Sequence, residues 1–170
     1  MTAVFPGSFD PVTLGHLDLI KRASRLFEVT VAVLFNPTKT PLFTIEERLA
    51  LLKEETANIS NVKVEEYNGL LAKFAKDRKI GYILRGVRTE ADCAYEIPMA
   101  QANRKLGEGL ETVILVTDPS YGYVSASLIR EVATIGYKND FDDKALEEWV
   151  SPKVKEALKN KIVQKRDCRK

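Results

Sequence analysis

The stretch Thr2-Ala-Val-Phe-Pro-Gly-Ser-Phe-Asp-Pro-Val-Thr-Leu-Gly-His-Leu-Asp-Leu-Ile20 decides how the rest of the chain is read. Thr2 to Phe5 is a short apolar run suited to a buried strand, and Pro6-Gly7-Ser8-Phe9-Asp10 breaks it with turn-forming residues. Thr13-Leu14-Gly15-His16 then opens a helix whose inner face is traced by Leu17, Ile20, Ser24 and Phe27. A strand that passes through a glycine turn into a helix is the first part of a βαβ unit.

The same alternation continues outward. Strands are expected from Val29 to Phe35, Val62 to Tyr67, Ile80 to Leu84 and Thr112 to Val116. Between them fall a helix opened by the capping box Thr44-Ile45-Glu46-Glu47, one from Leu70 to Arg78, and one from Thr89 to Leu106 closed by Gly107 and Gly109. Parallel crossovers are right-handed, so this order predicts an α/β fold: a doubly wound, five-stranded parallel sheet with helices on both faces and ligands beyond the carboxyl ends of its strands. A helix from Ser125 to Ile135, stopped by Gly136, and another opened by Ser151-Pro152 form a helical C-terminal extension. The chain reads as a single domain over 1–170, with the basic segment 161–170 expected to fray.

Composition sets the limits. With 170 residues, 45% hydrophobic, the chain can bury roughly 70% of its unfolded surface and needs no disulfide or structural metal to fold. Its 26 basic and 24 acidic residues leave a net charge of +2, which gives no electrostatic footprint for nucleic acid. Cys93 and Cys168 are far apart and outside any Cys-x-x-Cys spacing, which argues for a reducing compartment and against a zinc site. No run approaches ~18 apolar residues and the first residues lack a signal-peptide pattern, so the expectation is a cytoplasmic protein without a membrane partner.

Polar, glycine-rich or basic clusters recur where strands should end: Pro6 to Asp10, Asn36-Pro37-Thr38-Lys39, Arg85-Gly86-Val87-Arg88, and Tyr121-Gly122-Tyr123 before Ser125. In a doubly wound sheet they converge on one rim. His16, the one histidine, opens a helix, where free amides and the helix dipole favour an anion and an imidazole can donate a hydrogen bond to phosphate. Lys39, Arg85 and Arg88 add cations that either bind a polyanion or pair with Glu46, Glu90 or Asp92 as a solvated rim. Ser125 and Ser127 read as helix caps and equally as phosphate ligands, and Glu96 as a solvated helix position. Neither a P-loop nor a Gly-x-Gly-x-x-Gly fingerprint is present, and no serine or cysteine sits in a nucleophile elbow, so direct displacement is the economical chemistry.

These residues resemble the bacterial phosphopantetheine adenylyltransferases of the nucleotidyltransferase superfamily, over nearly the whole chain. Pro6-Gly7-Ser8-Phe9-Asp10-Pro11 with Thr13-Leu14-Gly15-His16 is similar to the superfamily's first signature, and Val124-Ser125-Ala126-Ser127-Leu128-Ile129-Arg130-Glu131 to its last. Leu84-Arg85-Gly86-Val87-Arg88, Asp92-Cys93-Ala94-Tyr95-Glu96 and Gln101-Ala102-Asn103-Arg104 resemble the segment that distinguishes this family from pyridine-nucleotide and cytidylyl relatives. Two departures stand out: Ser8 replaces the common threonine, keeping the hydroxyl, and Ala126 replaces the middle one of three serines, losing one.

The resemblance implies a Rossmann-like fold and transfer of the adenylyl group of ATP to 4'-phosphopantetheine, with Mg2+ carried on the nucleotide and no metal ligands assigned to the protein. By the same resemblance Ser8, Lys39, Leu71 and Arg85 contact phosphopantetheine. ATP is met by Ser8, Phe9, His16, Gly86, Val87, Arg88, Glu96, Tyr121, Gly122, Tyr123, Val124, Ser125, Ala126 and Ser127, and His16 and Lys39 carry catalysis. It also implies a homohexamer and coenzyme A as a feedback inhibitor. Two alternatives remain at this point: a sister nucleotidyltransferase with another phosphate acceptor, and a catalytically silent module that binds ATP or coenzyme A.

Overall fold

The structure, a computed structural model, describes residues 1–34, 40–137, 139 and 143–167, with side chains to 164. The expected alternation is present. Strands β1 (Thr2–Gly7), β2 (Glu28–Leu34), β3 (Val62–Tyr67), β4 (Tyr82–Val87) and β5 (Glu111–Val116) alternate with helices α1 (Leu14–Ala23), α2 (Ile45–Glu55), α3 (Leu71–Asp77) and α4 (Glu90–Leu106). Helices α5 (Ala126–Gly136) and α6 (Pro152–Asp167) follow, with short 3-10 turns at Pro119–Tyr121 and Asp143–Glu148.

Among the described residues the strands form one sheet in the order β3-β2-β1-β4-β5, with every pairing parallel. Alternate residues serve opposite faces, as the period of two demands. Ala3, Phe5, Val29, Val31, Val33 and Leu84 pack against α1, α2, α5 and α6 through Ile20, Leu52, Ile129 and Leu158. On the other face Val4, Ala32 and Ile83 meet Ala72, Phe74 and Ala75 of α3.

The order of strands reverses between β1 and β4, and there the ladder is short. β1 is in register with β2 from Thr2↔Glu28 to Gly7↔Val33, but with β4 only at Ala3↔Tyr82 and Val4↔Ile83. Pro6 has no N–H to lend a ladder, and its carbonyl is taken by the Arg85 guanidinium, Nη1 to O 3.0 Å. The two strands therefore part toward their carboxyl ends and open a crevice at the switch point, the place where such sheets bind ligands.

Three local expectations shift. β1 reaches Gly7 and β4 runs from Tyr82 to Val87, so Pro6-Gly7 and Arg85-Gly86-Val87 are strand residues rather than loops after strands. α1 ends at Ala23, four residues before Phe27. Of the segment expected to fray from 161, residues to Asp167 continue α6, with Ile162 buried in the core and Lys161 donating to the Glu47 carboxylate at 2.6 and 2.7 Å; 168–170 lie outside the described residues.

Candidate active site

The crevice is a cavity of about 360 Å³, within the ~300–1,000 Å³ usual for small-molecule sites. The turn after β1 supplies Ser8 and Phe9, α1 supplies His16, β4 and its end supply Arg85, Gly86 and Arg88, and the segment leading into α5 with its first residue supplies Tyr121, Val124, Ser125 and Ala126. Three of the four clusters seen in the sequence thus meet around one cavity. The fourth, with Lys39 and Asn36 to Thr38, lies outside the described residues.

His16 is held by an unusual capping box. Thr13 caps α1, its hydroxyl accepting the His16 N–H at 3.2 Å, while the Thr13 N–H donates to His16 Nδ1 at 3.1 Å. An imidazole here does what glutamate or glutamine does in an ordinary capping box. Accepting at Nδ1 leaves the proton of the neutral ring on Nε2. Burial first, then the charges of Arg88 and Arg85, lower the pKa of His16 from 6.5 to about 4, so the ring is a neutral donor at physiological pH. The Phe9 ring lies edge-on beneath it, centroids 5.1 Å apart.

The two arginines are already partnered. Arg85 grips Glu96 of α4 with two donors, Nε to Oε2 at 2.7 Å and Nη2 to Oε1. Glu96 is buried and its side chain only 8% exposed, so the solvated reading is overturned: a buried carboxylate needs such a partner. Arg88 pairs with Asp92 at 3.1 Å and donates to the Val124 carbonyl at 3.0 Å, tying β4 to the turn before α5. Burial pushes the Asp92 carboxyl up, but hydrogen bonds from the Arg88 side chain and backbone, its charge and the Thr89 N–H together bring it below the ordinary aspartate value.

Not every expected residue reaches the cavity. The Phe9 ring is buried and seated on Gly7, where an added Cβ would lie 2.9 Å from it. Val87 points into the core, Glu96 touches Arg85, and Leu71 packs at the start of α3 with the second core cluster. Gly122, Tyr123 and Ser127 lie beyond the lining; Ser127 borders a neighbouring groove with Thr40, Leu42 and Arg130. Gly15, of the Thr13-Leu14-Gly15-His16 signature, lines the cavity with Thr13; sequence reasoning missed Thr117 as a lining residue and Asp10, Arg48 and Arg130 as support. A signal for Arg48 existed: it lies one helical turn before buried Leu52, on the face α2 turns to the core.

A neutral imidazole, two guanidinium groups and the first turn of α5, gathered at a switch point, define a site for a phosphate-bearing ligand. The match of residues 4–132 to the cytidylyltransferase-like family agrees, and the chain is an enzyme of that nucleotidyltransferase class. Its curated relatives narrow this. The chain is 51% identical over 135 residues to phosphopantetheine adenylyltransferase of Caldanaerobacter subterraneus subsp. tengcongensis, covering 79% of this chain and 84% of that protein. It is 54% identical over 136 residues to phosphopantetheine adenylyltransferase of Corynebacterium diphtheriae, covering 79% and 85%. The chain belongs to the phosphopantetheine adenylyltransferase family. Among solved structures, a Vibrio parahaemolyticus protein assigned as a nicotinate-nucleotide adenylyltransferase shares the fold, with a TM-score of 0.66 at 19% identity over 94% of this chain and 93% of that one.

Proposed function

We propose that this chain joins ATP and 4'-phosphopantetheine into dephospho-coenzyme A and pyrophosphate, the penultimate step of coenzyme A synthesis. The observation that carries the reading is the neutral His16 ring, whose Nε2–H is left free by the cap and stands beside Arg85 and Arg88 in the switch-point cavity.

An oxygen of the acceptor phosphate attacks the α-phosphorus in line as the bond to the bridging oxygen of pyrophosphate breaks. That oxygen is already ionised, so the protein supplies positioning and charge stabilisation rather than a strong base. His16 Nε2–H donates to the α-phosphate, where negative charge builds up. Arg85, with Ser8 and Lys39, serves the acceptor; Arg88, Gly86, the Phe9 amide, Tyr121, Val124, Ser125 and Ala126 serve the nucleotide, while Leu71, Val87, Gly122, Tyr123 and Ser127 stand outside the cavity lining; and Lys39 shares catalysis with His16. Glu96 serves by orienting Arg85. A magnesium ion held by the phosphate oxygens of the nucleotide would supply charge neutralisation to the leaving pyrophosphate. Among the described residues no cluster of three His, Cys, Asp or Glu side chains is placed to hold a metal.

The chain works as one domain over 1–170, in the cytoplasm, as a homohexamer restrained by its end product coenzyme A. Assembly is supported by apolar side chains left exposed: Tyr95, Met99 and Leu106, which share one face of α4 by helical period, with Ile114 and Val116 on the edge strand β5. No helix among the described residues is long and apolar enough to cross a membrane.

Pyrophosphate release from ATP and magnesium, with and without 4'-phosphopantetheine, tests the reading. Release should require the acceptor and fall ~10²- to 10³-fold in His16→Ala with ATP binding little changed. Release only with another acceptor would replace the assigned substrate, and ATP binding without release for any acceptor would defeat the enzyme reading.

A further inference from the structure

Arg48 is the one basic side chain buried among the described residues, 3% exposed, and it forms no ion pair there. Its guanidinium instead meets two backbone carbonyls: Nη1 donates to Ser8 O at 2.9 Å and Nε to Thr44 O at 3.2 Å. A buried guanidinium held by carbonyls alone is costly to keep, and its place is telling. It reaches from α2 across 40 residues of sequence to the turn that carries the site.

That turn is restrained from three sides. The buried Asp10 carboxylate accepts from the Leu42 and Phe43 N–H groups at 2.9 Å each, Arg130 of α5 donates to the Asp10 carbonyl, and Arg48 holds the Ser8 carbonyl. Between the two gripped carbonyls sits Phe9 at φ 46°, a left-handed conformation that a bulky residue keeps only when its surroundings hold it there. The Ser8–Phe9 peptide is trans, so its C=O and N–H point in opposite directions across a rigid plane. With the carbonyl turned to Arg48 behind the turn, the Phe9 N–H faces the other way. Ser8 and Phe9 both line the cavity, and the Phe9 N–H has no hydrogen-bond partner among the described residues.

We propose that Arg48 is a positioning residue for the phosphate site: its grip on the Ser8 carbonyl aims the Phe9 N–H into the cavity as a fixed donor to a phosphate oxygen of the nucleotide. This rests on the nucleotide reading of the site. Arg48 touches no ligand itself and acts through one peptide plane. A fixed amide is worth more in the transition state than a mobile one, because nothing must reorganise as charge builds up.

The first test uses the unaltered protein. Hydrogen exchange at the Phe9 amide should be fast in the free protein and slow at least tenfold when magnesium-ATP binds. The second compares Arg48→Lys and Arg48→Met with the parent. A lysine reaches one carbonyl at a time and a methionine neither, so kcat should fall ~10-fold and ~10²-fold in turn, with KM for both substrates within about threefold. In Arg48→Met, ATP should still bind but no longer protect the Phe9 amide. A folded Arg48→Met with parental kcat, or a Phe9 amide whose exchange in the parent ignores ATP, would overturn the proposal. If Arg48→Met does not fold, the parent's exchange and the lysine variant decide. Phe9 protection by ATP in a parent protein that releases no pyrophosphate with phosphopantetheine would support the clamp while defeating the assigned reaction.

Discussion

The two sides of the cavity are built on opposite principles. The β1 side, from Ser8 to His16, presents neutral donors: an imidazole kept uncharged by burial and two arginines, and backbone amides held by buried side chains behind them. The β4 side presents charge, but charge already matched, Arg85 by Glu96 and Arg88 by Asp92. A phosphate arriving at the first side fills donors with no other partner, whereas at the second it must share or displace a carboxylate. The neutral side is suited to fixed geometry at the reacting phosphorus, and the charged side to holding substrates it must later release.

The difference can be broken most severely at Glu96. Glu96→Gln removes the charge from a buried pair and leaves Arg85 without it, so unfolding in urea should show a loss of about 2–3 kcal/mol, somewhat below the ~3–5 of a fully buried pair because Arg85 is partly exposed.

The neutral side is probed by proton. His16 has a folded pKa of about 4 against 6.5 when unfolded, so between those values the unfolded chain binds more protons. Stability is therefore full above pH 6.5 and declines as pH falls toward 4. The chain has a single histidine, so one imidazole resonance reports it; a midpoint near 6.5 in the folded protein would contradict the partly buried, arginine-flanked ring.

Asp92→Asn should matter least. Its partner Arg88 is a third exposed, and an exposed pair contributes little, so the loss of pair and cap together should stay near ~1 kcal/mol in the same urea experiment. A loss as large as that of Glu96→Gln would erase the contrast between the two pairs.

Much of this was legible in the residues. The capping box at Thr44, the cap Ser125, and the alternation of short apolar runs with amphipathic segments place the helices and strands nearly where they are found. Strand ends were less legible, since Pro6-Gly7 and Arg85-Gly86 look like loop residues. They belong to strands because neighbours accommodate them: Gly86 passes so close to Leu19 that a Cβ there would lie 2.3 Å from its Cδ1. Of the candidate site, His16, Arg85, Arg88 and Ser125 were legible as chemistry-bearing types at strand or helix ends. Glu96 was not, because a charged residue in an amphipathic helix looks solvated until the partner that lets it be buried is known, and Arg48 showed its place on the apolar face of α2 but not its partner.

The sequence by itself determined the local and periodic properties: which segments are strand or helix, which residues cap them, that the sheet is parallel and doubly wound, and which family the signatures resemble. These follow from steric preference and hydrophobic period over a few neighbouring residues. Only the tertiary structure decided what depends on groups far apart in the chain. Arg85 was matched with Glu96, the Ser8 carbonyl with Arg48 and the Asp10 carbonyl with Arg130, and the parting of β1 from β4 made the cavity. Each such pairing is the way a buried polar group recovers what it loses on leaving water, and its partner is set by the packing of the whole molecule.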